Sequence, residues 1–350
     1  MYIRAACLYL PEFIVEKAKK MKKTLAILLS VIMIVMIAGC GTKNVEDEPA
    51  DDDVTVRLGG LKGPTTMGMV KLLDDAENGL TDNKYEFTLE ATADALTPAL
   101  LRGELDIISI PANAAAILYA KSGGEVQVLG VNTLGVLSIV EKNGSTISTL
   151  SDLRGKTIYA TGKGTTPEYV LSYLLGTVGL DAAADVEIIW KSEPSEIVAL
   201  MATMDSAVAM LPQPFVTVAQ NTLSDLRIAI DLTDLWEAGE STSGSLCTSV
   251  LLARKAFVAE HPSATAKFIS EYGASADYVN ANTEDASLLV EKYGIVAAAV
   301  AKKAIPHCHL VCITGNEMKE ALSGYLGVLY EKDASSVGGA LPGDDFYMIQ

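Results

Sequence analysis

Two patterns of hydrophobic and polar positions alternate along the chain after residue 53. Short apolar runs bounded by glycine or proline, such as Asp106–Ile110, are typical of buried strands. Segments such as Asp94–Arg102 carry apolar residues at helical spacing. The order strand, turn, helix, strand, helix, strand, helix occupies residues 54–120 and returns over residues 156–220. This alternation predicts an α/β fold built on sheets of the parallel type.

The two regions match each other at an offset of 101 residues. The matched positions are a Lys-Gly turn, a threonine, a strand-ending proline and apolar residues that keep phase: Lys62-Gly63 with Lys163-Gly164, Thr65 with Thr166, Pro111 with Pro212, Phe87 with Ile188, and Ile107 with Val208. Internal similarity of this kind predicts that one folding unit occurs twice. We therefore expect two similar lobes.

The connections between the two copies predict how the lobes are joined. Strand-like segments at Leu134–Glu141 and Leu246–Ala253 follow the first and second copies, and the chain is helical after residue 261. We expect the chain to cross twice, so that residues 54–140 and 246–345 form lobe 1 and residues 141–245 form lobe 2. A double crossover predicts a cleft between the lobes with a hinge beneath it.

The N-terminal apolar stretch predicts export. Lys22 and Lys23 precede an uncharged run that ends before Ala38-Gly39-Cys40. The run is shorter than the ~20 residues of a membrane-spanning helix, so we predict a signal peptide at residues 21–39. Cys40 resembles the acylated cysteine of a bacterial lipobox; the alternative is an ordinary signal peptide that ends at a cysteine. Residues 1–20 are expected to be an over-extended start, and residues 40–53 an acidic tether.

Charge and cysteine content exclude several classes of function. The formal net charge is −17, which argues against nucleic-acid binding because that requires clustered cations. Cys247, Cys308 and Cys312 are an odd number of thiols, so we expect buried or free cysteines rather than a disulfide framework. The cluster formed by His307, Cys308, His309 and Cys312 matches no common zinc spacing, and we predict no metal and no cofactor.

Candidate ligand contacts lie in four loops that follow strands of the two copies. Ligands of open α/β sheets bind beyond the carboxyl ends of the strands. Glycine permits close approach, and the free N–H groups of a helix start attract anions. We therefore predict an anionic or polar ligand that contacts Lys62, Gly63, Pro64, Thr65, Thr66, Pro111, Ala112, Asn113, Gly162, Lys163, Gly164, Thr165, Thr166, Gln213 and Pro214.

Each candidate also has a purely structural interpretation. The threonines can cap helices, the prolines can end strands and start helices, and Lys62 and Lys163 can be solvated side chains. Trp190 matches an apolar position of the first copy, which favours a core residue. Trp236 lies near the second crossover, where either a ligand-stacking role or a core role fits the sequence.

Three features resemble the nitrate/sulfonate/taurine-type substrate-binding proteins of ABC importers, a group related to thiamine-precursor binders. They are the lipobox at Cys40, the segment Ser151–Ile158 (SDLRGKTI), and Ala253–Phe257 (ARKAF) with His261-Pro262. The resemblance covers residues 54–345 and implies the two-lobed periplasmic-binding-protein type II fold. It further implies a monomeric lipoprotein on the extracytoplasmic face of a bacterial membrane. Such a protein delivers a small molecule to an ABC permease and its ATPase.

Other functions use the same two-lobed fold, including enzymes, membrane sensors and binders of thiamine-precursor pyrimidines. Against catalysis, the three histidines lie outside the predicted loops, and the chain contains neither G-x-S-x-G nor H-E-x-x-H. The glycines around Lys163 do not satisfy the P-loop pattern. We therefore expect a binding protein and not an enzyme, with the pyrimidine binder and the sensor as alternatives.

Overall fold

Eleven strands form two sheets in the computed structural model, which describes residues 54–239 and 245–349. The predicted signal peptide, Cys40 and the predicted tether lie outside the described residues. The strands are β1 (Thr55–Leu61), β2 (Lys84–Glu90), β3 (Ile107–Pro111), β4 (Val126–Thr133), β5 (Leu137–Lys142), β6 (Thr157–Thr161), β7 (Glu187–Lys191), β8 (Ala207–Pro212), β9 (Leu226–Asp231), β10 (Ser249–Arg254) and β11 (Leu310–Ile313).

Helices cover the faces of both sheets and fill the C-terminal third of the chain. They are α1 (Pro64–Met67), α2 (Val70–Glu77), α3 (Ala93–Leu101), α4 (Ala112–Ser122), α5 (Thr166–Thr177), α6 (Pro194–Ala202), α7 (Phe215–Thr222), α8 (Leu232–Glu237), α9 (Lys255–Glu260), α10 (Pro262–Ala281), α11 (Thr283–Lys292), α12 (Ala298–Ala304) and α13 (Gly315–Lys332). Short 3₁₀ turns include Ala334–Val337. Within the described residues, none of these helices is both long and apolar enough to cross a membrane.

The two sheets share one strand order. Sheet A runs β2-β1-β3-β10-β4-β11, and sheet B runs β7-β6-β8-β5-β9. In each sheet the first three strands are parallel, and the fourth is antiparallel to both of its neighbours. That fourth strand, β10 or β5, follows a strand of the other sheet in the chain. The predicted α/β class and the two crossings are confirmed, but both sheets are mixed because each crossing strand enters against the direction of its neighbours.

The pairing of the strands supports the internal repeat and shows where its offset changes by one residue. Leu58 of β1 pairs with Phe87 and Ile107, whereas Ile158 of β6 pairs with Ile188 and Val208. The offset is therefore 101 residues for the second and third strands of each sheet but 100 for the first. The extra residue lies in the turn between β6 and α5, which is longer than the turn between β1 and α1.

The first helix of the first copy is interrupted in the structure between Met67 and Val70. Ser275 of α10 inserts its hydroxyl between the ends of α1 and α2, where Ser275 Oγ donates to Gly68 O at 2.7 Å and accepts from Leu72 N at 3.0 Å. The bond that a continuous helix would form between Leu72 N and Gly68 O is thus replaced by two bonds to one side chain. The prediction that the chain is helical after residue 261 is confirmed by α10, α11, α12 and α13, with the short strand β11 between the last two.

Apolar packing joins the two sheets along one side. A single cluster of buried side chains includes Ile108 and Val128 of sheet A, Ile139 and Ile158 of sheet B, and Tyr325 of α13. The Trp236 ring is fully buried in this cluster, with its centre 5.0 Å from that of Tyr173 and 5.6 Å from that of Tyr325. Of the two roles that the sequence left open for Trp236, the structure supports the core role.

Candidate functional site

The loop after β1 uses its threonine hydroxyls locally. Thr66 Oγ1 donates to Leu61 O at 2.7 Å, and Thr65 Oγ1 lies 3.4 Å from the same carbonyl. Gly63 has a φ of 139°, and Pro64 opens α1. Both threonines are buried, whereas the Lys62 side chain is exposed. The two hydroxyls therefore bond to the end of β1, and neither caps an N–H group of α1, so the capping role that the sequence allowed for these threonines is not found here.

A buried polar network fixes this loop against the strand ends of sheet A. Ser109 Oγ and Asn132 Nδ2 both donate to Thr65 O, at 2.7 and 2.8 Å. Ser249 Oγ of the inserted strand β10 donates to Asn132 Oδ1 at 2.7 Å. The sequence analysis did not select Ser109, Asn132 or Ser249, although each is a polar residue within an apolar strand. That interruption is the signal that could have found them.

The corresponding loop of sheet B begins α5. Gly162 and Gly164 have φ values of 83° and 75°, which glycine adopts without strain. Thr165 Oγ1 donates to Gly162 O at 2.7 Å, and Gly164 N donates to the Glu168 carboxylate at 2.5 Å. The Gly164 N–H group at this helix start is therefore already bonded to a carboxylate of the same chain, that of Glu168. The Lys163 side chain is exposed.

Two of the four predicted loops meet at a hydrogen-bonded contact between the sheets. Thr166, the first residue of α5, places Oγ1 3.4 Å from Asn113 Oδ1 near the start of α4, and Tyr325 OH donates to Thr166 Oγ1 at 3.1 Å. Asn113 Nδ2 lies 3.4 Å from Ser336 O. Asn113, Thr166, Tyr325 and Ser336 are all buried. Both Asn113 contacts are long for hydrogen bonds, so a ligand could replace them at little cost.

Three hydroxyls without partners belong to residues that are linked by hydrogen bonds to Asn113 or to Ala112 at the start of α4. Among the described residues, Thr133 Oγ1, Thr248 Oγ1 and Ser336 Oγ have no hydrogen-bond partner. Thr248 is tied to the loop after β3, because Ala112 N donates to Thr248 O at 3.1 Å, and Thr133 O accepts from Thr248 N at 2.9 Å. Buried hydroxyls are usually hydrogen-bonded, so these groups are available to a polar ligand.

The fourth predicted loop lies at a separate small cavity. Gln213 is buried; its backbone N–H donates to Val136 O at 2.9 Å, and its Oε1 accepts from Thr217 Oγ1 at 2.9 Å. Pro214 precedes α7. The cavity has a volume of about 20 Å³, enough for a water molecule. Its polar lining residues are Ser138, Gln213, Asp231, His307 and His309.

The thiols of Cys308 and Cys312 do not join His307 and His309 at the small cavity. Cys308 Sγ donates to Ala304 O at 3.2 Å, whereas Cys312 lies near Ile269 on α10. Burial raises the pKa of Cys247 and of Cys308 to about 12. All three cysteines of the described region are free thiols. Within residues 54–239 and 245–349, no group of three His, Cys, Asp or Glu side chains is arranged to hold a metal ion.

The chain is similar to known binding proteins in both sequence and fold. Residues 135–286 match the family described as NMT1/THI5 like. A relative from Brucella abortus (strain 2308), described as a binding protein, is 25% identical over 197 residues. That match covers 56% of this chain and 57% of the relative, so the chain spans little more than half the length of the curated relatives it matches.

Solved structures share the fold. An ABC transporter protein from Parabacteroides distasonis superposes with a TM-score of 0.71 at 24% identity, covering 85% of this chain and 99% of that one. The periplasmic aliphatic sulphonate binding protein SsuA from Escherichia coli gives a TM-score of 0.65 at 19% identity, covering 79% and 87%. The resemblance to ABC-importer binding proteins is confirmed, and the fold is the two-lobed α/β fold of those proteins.

Proposed function

We propose that the protein is the substrate-binding component of an ABC importer and captures a small anionic or polar molecule between sheets A and B. In this proposal it is exported, anchored to the extracytoplasmic membrane face by a lipid on Cys40, and delivers its ligand as a monomer to a permease and its ATPase. Binding rather than catalysis is supported by the E. coli neighbour, which is described as a sulphonate binding protein.

The observation that carries this proposal is the contact between Asn113 and Thr166. It joins a strand-end loop of sheet A to the helix start of sheet B, and Asn113 also contacts Ser336, whose buried hydroxyl has no partner among the described residues. The N-termini of α4 and α5 both point their partial positive charge toward this region. A ligand with acidic or polar oxygen atoms would satisfy these donors, in competition with Glu168 at Gly164.

Ligand capture by lobe closure follows from the same contact. A molecule that bonds to both Asn113 and Thr166 stabilises the closed arrangement over an open one. We infer that residues 54–140 with 246–345 and residues 141–245 move as the two lobes, with strand β5 of sheet B at their boundary. Small-angle scattering should show a smaller radius of gyration at ligand saturation, and an unchanged radius would contradict closure.

Two substitutions test the site. Thr166→Val and Asn113→Ala each remove groups that we place at the ligand. Each is expected to weaken binding roughly ten- to hundredfold, the value of a hydrogen bond to a charged group. Thermal-shift titrations with ethanesulfonate, taurine, nitrate and an aminopyrimidine, together with native mass spectrometry of the purified protein, identify the ligand to be measured.

The matched control is Thr203→Val, which removes an exposed hydroxyl that bonds only to Leu200 O at the end of α6. It should leave the affinity unchanged. A ligand that binds all three variants as tightly as the wild type would place the site elsewhere. Replacement of both Lys62 and Lys163 by Ala tests the remaining prediction from the sequence, because intact affinity would show that these exposed side chains take no part in binding.

A further inference from the structure

The outer end of sheet B contains a cavity that does not belong to the proposed cleft. It has a volume of about 440 Å³ and is lined by Lys142 at the end of β5, Lys156 and Thr157 at the start of β6, and Ala207 at the start of β8. The candidate ligand loops follow the opposite, carboxyl ends of β6 and β8. The cavity and the cleft are therefore at opposite ends of the same strands.

The corresponding end of sheet A is filled by an ion cluster. The Asp106 carboxylate accepts hydrogen bonds from Arg57 of β1 at 2.7 and 2.8 Å and from Arg254 of β10 at 2.6 Å. Only 2% of the Asp106 side chain is exposed. The Asp106 carboxylate thus lies between strands β1 and β10 of sheet A, and one arginine of each strand binds it.

Strand pairing shows which residues of sheet B occupy the same positions. Val208 of β8 corresponds to Ile107 of β3, so Ala207 corresponds to Asp106, and Lys142, which pairs with Ala207, corresponds to Arg254. Thr157 corresponds to Arg57. Each of these two residues pairs with a glutamate of the next strand, Glu187 and Glu86 respectively. Sheet B has therefore kept a cation on its inserted strand but has a methyl group where sheet A has the carboxylate.

We propose that this cavity binds a small carboxylate, whose anionic group takes the place that Asp106 occupies in sheet A. Lys142 is fixed at the cavity because its Nζ donates to Met201 O at 2.9 Å and Met204 O at 2.6 Å. An ammonium group has three N–H donors, so one remains for a ligand. Lys156 supplies a second charge, and within the described residues no hydrogen bond or ion pair occupies its ammonium. Tyr159 and Met204 line an apolar part that accepts the carbon chain.

The acidic groups near the cavity are already bound by the protein. Glu141 is neutralised by Arg227 and by two bonds from Thr146. Glu187 accepts from Thr157 Oγ1 at 2.7 Å. Asp152 accepts bonds from Ser148 and Thr149 at the start of a 3₁₀ turn. Glu141 also lines the cavity, but its carboxylate is paired with Arg227. Among the described lining residues, Lys142 and Lys156 are therefore the charged side chains without an ion-pair partner, so we expect a local preference for an anion even though the whole chain is acidic.

Methyl NMR of the purified full chain tests the proposal with succinate as the probe and uncharged succinamide as its isostere. The Met204 and Val208 methyl signals should shift saturably with succinate and not with succinamide. Ala207→Asp installs the carboxylate that sheet A has, and should abolish the shift. Lys156→Gln should weaken succinate binding roughly ten- to hundredfold. Lys121→Gln, on an exposed helix end covering sheet A, should leave it unchanged.

Three results would overturn the proposal: no saturable shift with succinate, an equal shift with succinamide, or undiminished binding in folded Ala207→Asp. Should Ala207→Asp fail to fold, Lys156→Gln decides the question alone, since unchanged affinity in that variant would exclude this cavity as the site. The outcome is independent of the proposed cleft, because Met204 and Val208 report only on the outer end of sheet B.

Discussion

Each sheet secures its inserted strand with a buried carboxylate and arginine, but on opposite sides of that strand. In sheet A, Asp106 binds Arg254 of the inserted strand β10 and Arg57 of β1. In sheet B, Glu141 lies on the inserted strand β5 itself and binds Arg227 of the outer strand β9. The Asp106 cluster connects the inserted strand β10 to the parallel strands of sheet A. The Glu141 cluster connects the inserted strand β5 to the edge strand β9 of sheet B.

This difference accounts for the cavity in sheet B. Ala207 of sheet B stands where sheet A has Asp106, so within the described residues no carboxylate binds Lys142, whose ammonium bonds instead to the carbonyls of Met201 and Met204 at the end of α6. A repeated fold can therefore be stabilised by different side chains in its two copies, which frees equivalent positions for another use. The two clusters also predict different sensitivities to substitution.

The largest effect is expected from Asp106→Asn. This change removes the charge that compensates Arg57 and Arg254 and weakens three side-chain bonds across three strands. Breaking a buried ion pair by removing one partner costs about 3 to 5 kcal/mol, and the partial exposure of both arginines favours the lower end. Urea unfolding monitored by circular dichroism should give a free energy of unfolding lower by about 3 kcal/mol.

The matched control for this variant is Glu104→Gln, two residues away. Glu104 pairs with Arg102 on the surface, where both side chains are more than half exposed, so its replacement should change stability little. Equal unfolding midpoints for Asp106→Asn and wild type would show that the cluster does not hold sheet A together.

A smaller effect is expected from Glu141→Gln in sheet B. The new amide keeps an oxygen that can accept from Thr146, and only one arginine, which is one-third exposed, loses its partner. We expect a loss of about 2 kcal/mol in the same unfolding measurement. Glu187→Gln is the control, because the Glu187 side chain is exposed at the start of the edge strand β7. A loss larger than that of Asp106→Asn would reverse the ranking of the two clusters.

Much of this fold could be predicted because it follows from local patterns of apolar and polar residues. The alternation of apolar strands and helices gave the α/β class, and Pro111 with Pro212 marked equivalent strand ends. The break at Gly68 could not be predicted, since it depends on Ser275, more than two hundred residues away in the chain. The mixed direction of the sheets likewise depends on where β5 and β10 insert, which is a tertiary property.

The candidate site could be predicted in part. Loop position selected Asn113 and Thr166, which the structure brings together, but it could not show that Lys62 and Lys163 are exposed. It also missed Tyr325 and Ser336, which reach the site from the C-terminal region and carry no local motif. Contacts between distant segments are set by packing, and one sequence does not reveal them.

The smallest effect, and the finest test of the two clusters, is the dependence of stability on pH. Burial alone would raise the pKa of Asp106, but hydrogen bonds from Arg57 and Arg254 outweigh it and the pKa is lowered. Burial likewise opposes the bonds from Thr146, Arg227 and Ile147 at Glu141, and its pKa is also lowered. Because both pKa values are depressed, each carboxylate contributes stability above its unfolded pKa of about 4 and loses it as the pH falls through the folded value.

The wild type should therefore lose stability as the pH falls from about 6 to about 3, and Asp106→Asn and Glu141→Gln should each lose less. The difference in the free energy of unfolding between wild type and each variant, which we call the gap, should therefore become smaller at low pH. Protonation removes the charge of the wild-type carboxylate, and the substitution has already removed that charge in the variant. Urea unfolding at three pH values across this range measures the gap. A gap that stays constant would mean that the variants act through lost packing and not through the charge of the carboxylates.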